Sequence, residues 1–223
     1  FLAVLFTLSG AQICIDRKIN LVLDTGIARE KAVYSVFIEI EDKTLYLLEN
    51  GKPIKEYVIA SGKSGYPTPL GSWVIVEKGD WGEGFGGSWL GLNVPWGKYG
   101  IHGTLESGSI GYATTKGCIR MFNEDVAELY RLLPIGTEVV IVNGKFGPFG
   151  QGFADIMPGD RGSDVLAIQR QLKKLGYYEG ELDGIYEDQL KKAVHAFQRA
   201  NGLMVKNTIT RDDWLKMGFR EFE

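Results

Sequence analysis

Two hydrophobic rhythms run along this chain, and the break between them constrains the fold more than any overall composition. In residues 34–48 apolar side chains such as Val36, Ile38 and Ile40 alternate with polar ones, the period of a strand that buries one face. In residues 163–200 Val165, Ile168 and Leu172, then Leu190, Val194 and Phe197, return every three to four positions, the period of a helix with one apolar stripe. Between the two regimes, residues 143–158 hold four glycines and two prolines with little periodicity, which reads as a linker. A chain of 223 residues with 44% hydrophobic content can bury one substantial core and a smaller second one.

The expected layout is a mainly β domain over residues 32–143, a linker over 144–158 and a small all-α domain over 159–219. Asp42 and Lys43 close a first hairpin, Asn50-Gly51 supplies the next turn, and residues 54–60, 73–76 and 136–142 are further strand-like runs. One helix is expected from Asn123 as N-cap, with Glu124 and Asp125 in its first turn, to Pro134, covering one opening of the sheet. In the C-terminal domain Ser163 caps a helix that Gly176 stops, a second helix ends before Gly202, and Thr210 with Asp213 forms a capping box for a third. Three short helices in about sixty residues lie near the lower limit for independent folding.

Residues 1–15 carry no charge and are followed at once by Asp16, Arg17 and Lys18. Residues 1–18 therefore read as a signal peptide or membrane anchor, with Ser9 and Ala11 placed for cleavage and the true N-terminus lying upstream of Phe1. Cys14 in this stretch reads as an inert hydrophobe. The net charge of −3 comes from 25 basic and 28 acidic residues that are interspersed, so nucleic acid is not an expected partner. Two cysteines and two histidines supply neither a disulfide framework nor zinc-ligand spacing, and no metal or cofactor is expected.

Chemistry concentrates in Tyr99-Gly-Ile-His102-Gly103-Thr and, sixteen residues after His102, in Thr115-Lys116-Gly117-Cys118-Ile-Arg120-Met. A thiol reacts as thiolate, so a nucleophilic cysteine needs a base or a positive field. His102 is a candidate base, and Lys116 and Arg120 are candidate fields. Gly117 leaves room for substrate to approach the backbone, whose N–H groups suit an oxyanion. On spacing alone, a lone Cys and His sixteen residues apart are more often buried structural residues than a catalytic pair. The segment from Gly82 to Gly87 satisfies G-x-G-x-x-G but precedes a strand-like run, so it lacks the helix that would hold a pyrophosphate. The surrounding residues 79–100, with Trp81, Trp89 and Trp96, read as an aromatic-bearing loop over the site or as packing.

The whole string resembles the L,D-transpeptidase (YkuD-like) catalytic domain, whose signature is His-Gly followed by Ser/Thr-His-Gly-Cys and an Arg or Asn. The likeness continues upstream through Leu45-Tyr46-Leu47, Ser61-Gly62-Lys63 and Thr68-Pro69-Leu70-Gly71, and downstream through residues 122–126 to Gly136-Thr137. It implies a β-sandwich or barrel with one covering helix, Cys118 as nucleophile, His102 as base and the Gly103 carbonyl orienting the imidazole. Tyr99, Thr115, Lys116, Gly117 and Arg120 would line the substrate site. The chain departs from the signature at Lys116, where the family carries a second His. A fixed charge there is expected to favour the thiolate, so that Lys116→Ala raises the Cys118 pKa.

Gly162, Gln169, Leu175-Gly176-Tyr177-Tyr178, Asp183-Gly184 and Phe197-Gln198 resemble a three-helix peptidoglycan-binding module. Tyr177, Tyr178 and Gln198 are its candidate ligand contacts, with packing as the other reading of the tyrosines. Together the resemblances imply an extracytoplasmic, monomeric enzyme of peptidoglycan biosynthesis, in the cell wall or on the outer face of the membrane. It would cross-link stem peptides through a thioester and so serve cell shape. Two alternatives stay open: an L,D-carboxypeptidase that resolves the thioester with water, and a non-catalytic peptidoglycan-binding protein.

Overall fold

The computed structural model describes residues 32–144 and 152–220, and the backbone of residues 7–8 and 11–12. Those two dipeptides, β1 (Thr7–Leu8) and β2 (Ala11–Gln12), pair antiparallel within a unit of their own, Phe1–Ala32. The rest of the expected export segment, Cys14 included, lies outside the described residues. No helix among the described residues is long and apolar enough to cross a membrane.

The second unit, Val33–Glu223, opens with the expected hairpin, β3 (Tyr34–Glu39) and β4 (Thr44–Glu49), and the Asn50-Gly51 turn leads into β5 (Lys52–Val58). Short β6 (Ser61–Gly62) and long β7 (Gly71–Gly79) follow, then β8 (Trp89–Leu92), β9 (Tyr99–His102), β10 (Ala113–Thr115) and β11 (Ile119–Arg120). Helix α1 (Asn123–Leu132) then crosses to β12 (Glu138–Val142). Eight strands form one mixed sheet in the order β11-β9-β8-β7-β12-β3-β4-β5, and β6 pairs separately with β10. β12 runs parallel to β3, and β11 parallel to β9.

Alternation decides which way this sheet curls. Val36 and Ile38, Leu45 and Leu47, Trp73 and Ile75, and Val139 and Ile141 all turn to one core, joined there by Val126 and Leu129 of α1. Burying one face on itself bends the sheet until its ends meet. The chain leaving β5 pairs with β11: Ala60 donates to the Arg120 carbonyl at 2.8 Å, and Arg120 donates back at 3.0 Å. β5 itself is mostly exposed and carries Lys52, Lys55 and Glu56, charges that suit an edge strand. The result is a mainly β, barrel-like domain with one covering helix.

The C-terminal helices are α2 (Ser163–Lys174), α3 (Asp188–Ala200) and α4 (Arg211–Lys216). Ile168, Leu172, Leu190, Val194, Phe197 and Trp214 form their core. The reciprocal Thr210–Asp213 capping box is present. Two other caps differ from expectation, because Phe122 and Gly162 hold the N-cap positions of α1 and α2. Asn123 and Ser163 instead bond across the fold: Asn123 Oδ1 accepts from the Thr104 N–H at 2.8 Å, and Ser163 Oγ donates to the Leu70 carbonyl at 2.6 Å. Part of the expected linker is also built in. Ile156 is buried and bridged to Ile209, Phe153 stacks on Trp214 at 5.1 Å, and Trp214 Nε1 donates to the Ala154 carbonyl. Apolar side chains among the glycines account for this, since composition alone hid two good core residues.

Candidate active site

Strand pairing alone brings the two candidate reactive residues together. His102 ends β9, and its register partner on β11 is Arg120, while Ile101 faces Ile119. Cys118, one residue earlier, thus comes in beside Gly100, whose backbone hydrogen-bonds its thiol. The approach turn is latched by Thr115, whose hydroxyl accepts from the Gly117 N–H at 3.0 Å and donates to the Cys118 carbonyl at 2.7 Å. Thr115 is buried, so its hydroxyl serves the turn and not an open surface. Only glycine fits at 117: its φ is +109°, and a Cβ there would meet the Tyr99 ring at 2.6 Å and the Pro67 carbonyl at 3.1 Å.

His102 is only 5% exposed. Its Nδ1 lies 2.6 Å from the Gly103 carbonyl oxygen. A carbonyl only accepts, so Nδ1 carries the proton and Nε2 keeps its lone pair. Gly103 is itself fixed, donating its N–H to the Phe85 carbonyl at 2.9 Å. Asn123 Oδ1 fills the space a Cβ on Gly103 or Gly86 would need. Phe85 and Trp89 flank the imidazole at 4.8 and 5.8 Å between ring centroids, and Trp81 stacks on Trp89 at 4.1 Å. The glycine-rich segment is therefore packed against His102, and Trp81 and Trp89 take the second of the two readings, packing.

Burial holds the His102 imidazole below its ordinary value, with Arg120 adding to the depression and the Gly103 hydrogen bond opposing it. Burial pushes the Cys118 thiol up, against the Gly100 hydrogen bond and the Arg120 charge. The two shifts point the same way, each favouring the neutral form, a thiol on Cys118 and an unprotonated Nε2 on His102. Arg120 also pairs with Glu106 at 2.9 Å. Lys116 is exposed and does not figure among the charges acting on Cys118; it lines a cavity together with Tyr99. Among the described residues no group of three or more His, Cys, Asp or Glu could hold a metal ion.

The structure separates the three residues expected to contact peptidoglycan. Gln198 is fully buried, donating to Asp213 at 3.0 Å and accepting from the Lys206 N–H at 2.9 Å. Tyr178 is 5% exposed, and its hydroxyl donates to the Glu181 carbonyl. Their polar atoms are engaged in holding loops, and Tyr177 alone of the three is partly exposed, edge-on to Phe197. Sequence reasoning missed Asn123 and Phe85, whose roles depend on partners remote in the chain. The sole signal for either was the density of glycines at 82–87, which marks close backbone approach.

Residues 33–141 match the L,D-transpeptidase catalytic domain family, and residues 161–205 match a peptidoglycan binding domain family. The family protein YkuD of Bacillus licheniformis is 40% identical over 136 residues, covering 60% of this chain and 79% of its own length. YkuD of Bacillus subtilis is 45% identical over 109 residues, which cover 48% of this chain and 65% of that protein. Among solved structures, the L,D-transpeptidase from Mycobacterium smegmatis aligns at 20% identity and a TM-score of 0.43, over 49% of this chain and 58% of that one. With its catalytic signature set on a closed sheet and a binding module behind it, this chain belongs to the L,D-transpeptidase family.

Proposed function

We propose that the protein is a cysteine-dependent L,D-transpeptidase that acts outside the cytoplasm on peptidoglycan, as a monomer. In the first step Cys118 Sγ attacks the carbonyl of the third residue of a donor tetrapeptide stem while His102 Nε2 takes the thiol proton. The tetrahedral oxyanion collapses, the peptide C–N bond breaks, and the imidazolium returns the proton to the departing D-Ala amine. In the second step a side-chain amine of a neighbouring stem attacks the thioester, the C–S bond breaks, and the amine's proton passes through His102 to the thiolate. The observation that carries this reading is the 2.6 Å contact between His102 Nδ1 and the Gly103 carbonyl. It dedicates Nε2 to acceptance, in a strand register that puts Cys118 two residues from Arg120, the partner of His102. Gly103 thereby does what a carboxylate does in other triads.

Intact-protein mass spectrometry of wild type and Cys118→Ala, incubated with a disaccharide tetrapeptide, tests the proposal. A wild-type-only acyl adduct with cross-linked dimer is expected. Adduct with free tripeptide alone would make the protein a carboxypeptidase. Retention on peptidoglycan with neither adduct nor product would leave the binding protein as the reading.

A further inference from the structure

One charged side chain shares the face of the sheet that carries the candidate reactive pair. Ile101 and Ile119, paired in register, both turn into the core, so their successors His102 and Arg120 turn the other way. Cys118, on the near side of Ile119, falls on that same face by the same alternation, beside Gly100. The Arg120 backbone is fixed, since its N–H donates to the Ala60 carbonyl at 3.0 Å and its carbonyl accepts from the Ala60 N–H at 2.8 Å. Its side chain is held by other means. Among the described residues the guanidinium has one partner, Glu106 Oε2, which accepts from Nη1 at 2.9 Å.

Glu106 is itself aimed. It follows β9 in a turn where its N–H donates to Thr104 Oγ1 at 3.0 Å, and its carbonyl accepts from the Ser109 N–H at 2.9 Å and the Ser109 hydroxyl at 2.6 Å. Thr104 in turn donates its N–H to Asn123 Oδ1 at 2.8 Å, the same oxygen that packs against Gly103. The Glu106 side chain is 74% exposed and that of Arg120 26% exposed, so the ion pair adds little to stability. Its effect is on place. An arginine side chain without a partner spreads its charge over many rotamers and into solvent, whereas a partnered one keeps it at the sheet.

We infer that Glu106 is a positioning residue of this site, holding the Arg120 guanidinium against the Cys118–His102 pair. The inference rests on the acyl-transfer reading only for what the pair does, because the hold is a property of the protein without substrate. It carries a mark that packing does not. Burial acts on the two groups in opposite directions, raising the thiol and lowering the imidazole, whereas the Arg120 charge lowers both. Among the described residues Arg120 is the one charged side chain that bears on both, and Lys116 bears on neither. Losing the hold therefore moves both groups up together, while admitting water would bring the thiol down and the imidazole up.

The test uses the full chain with Glu106→Ala, Glu106→Gln, Arg120→Ala, and Glu106→Ala combined with Arg120→Ala. Iodoacetamide alkylation, read on the peptide that carries Cys118 so that Cys14 does not interfere, gives the thiol inflection. Imidazole NMR shifts against pH give the His102 midpoint, with His195 as internal control. Glu106→Ala is expected to raise both, in the direction of Arg120→Ala, and to slow alkylation at neutral pH about threefold with the melting curve unchanged. Glu106→Gln keeps an acceptor at the same reach and should recover part of the change. In the Arg120→Ala background Glu106→Ala should do nothing further. Unchanged midpoints, midpoints that move in opposite directions, or an equal effect with and without Arg120 would each overturn the proposal. Incubation with a disaccharide tetrapeptide keeps the two readings apart: shifted midpoints in a protein that never forms an acyl adduct would remove the acyl-transfer reading and leave the role of Glu106 standing.

Discussion

His102 commits one ring nitrogen to a backbone carbonyl, and its burial lowers the affinity of the other for protons. Because the proposed base must be neutral to act, kcat/KM should rise with pH and reach its plateau below the usual histidine range, measured with a tetrapeptide donor. The thiol moves oppositely. Iodoacetamide alkylation of Cys118 should inflect above an ordinary cysteine's pKa, because burial outweighs the Gly100 and Arg120 contributions. Arg120→Ala removes a charge that favours the thiolate and should move that inflection to still higher pH. Lys116→Ala should leave it in place, contrary to the expectation from sequence, because the exposed Lys116 side chain is absent from the charges acting on the sulfur. The Cys–His–Gly string stood out in the sequence by resemblance. What the sequence could not convey was how far Lys116 and Arg120 each stand from the sulfur, since both are two residues away along the chain.

Elements explain the rest of the site's precision. The turn before β11 is held by one hydroxyl bonded at both ends. Thr115→Val keeps the shape but strands a buried donor and acceptor, at a cost of about 1–3 kcal/mol. Thr115→Ser should restore most of it, read by thermal melting together with the alkylation rate. Gly117→Ala adds a Cβ in left-handed backbone against the Tyr99 ring, and the strain alone costs about 1–3 kcal/mol. Strands were legible because Val36, Ile38, Leu45 and Leu47 alternate. Helices were legible because Ile168, Leu172, Val194 and Phe197 recur at helical spacing. Caps were less so. Asn123 and Ser163 have the right chemistry for a local cap, yet each bonds a partner 19 or 93 residues away, and no rule confined to near neighbours ranks such partners. Gln198 misled for a related reason: a polar side chain next to a core Phe reads as surface until its own partners, Asp213 and Lys206, are seen.

The barrel and the helical domain share side chains, Leu166 in one core and Leu182 against both. They should therefore melt together. Leu166→Ala, which deletes a buried side chain at about 2–5 kcal/mol, should split the calorimetric endotherm in two. Asp164 acts on the whole molecule as well. Its carboxyl sits near 6 when folded against about 3.9 in an unfolded chain, so the folded state holds its proton more tightly and loses stability as pH rises through that window. Asp164→Asn should consequently raise Tm above pH 6 and leave it unchanged near pH 3.5. The closure of the barrel has a further consequence. Its ends are joined by a two-bond bridge between Ala60 and Arg120, flanked by the short β6–β10 pairing, and not by a full ladder like the one between β3 and β4. A seam of that kind is the cheapest place for the sheet to come apart, and Cys118 hangs two residues from it. On heating, the zip should open there first, so that deuterium enters the Ala60 and Arg120 amides early and the thiol loses its reactivity while the remaining strands are still protected.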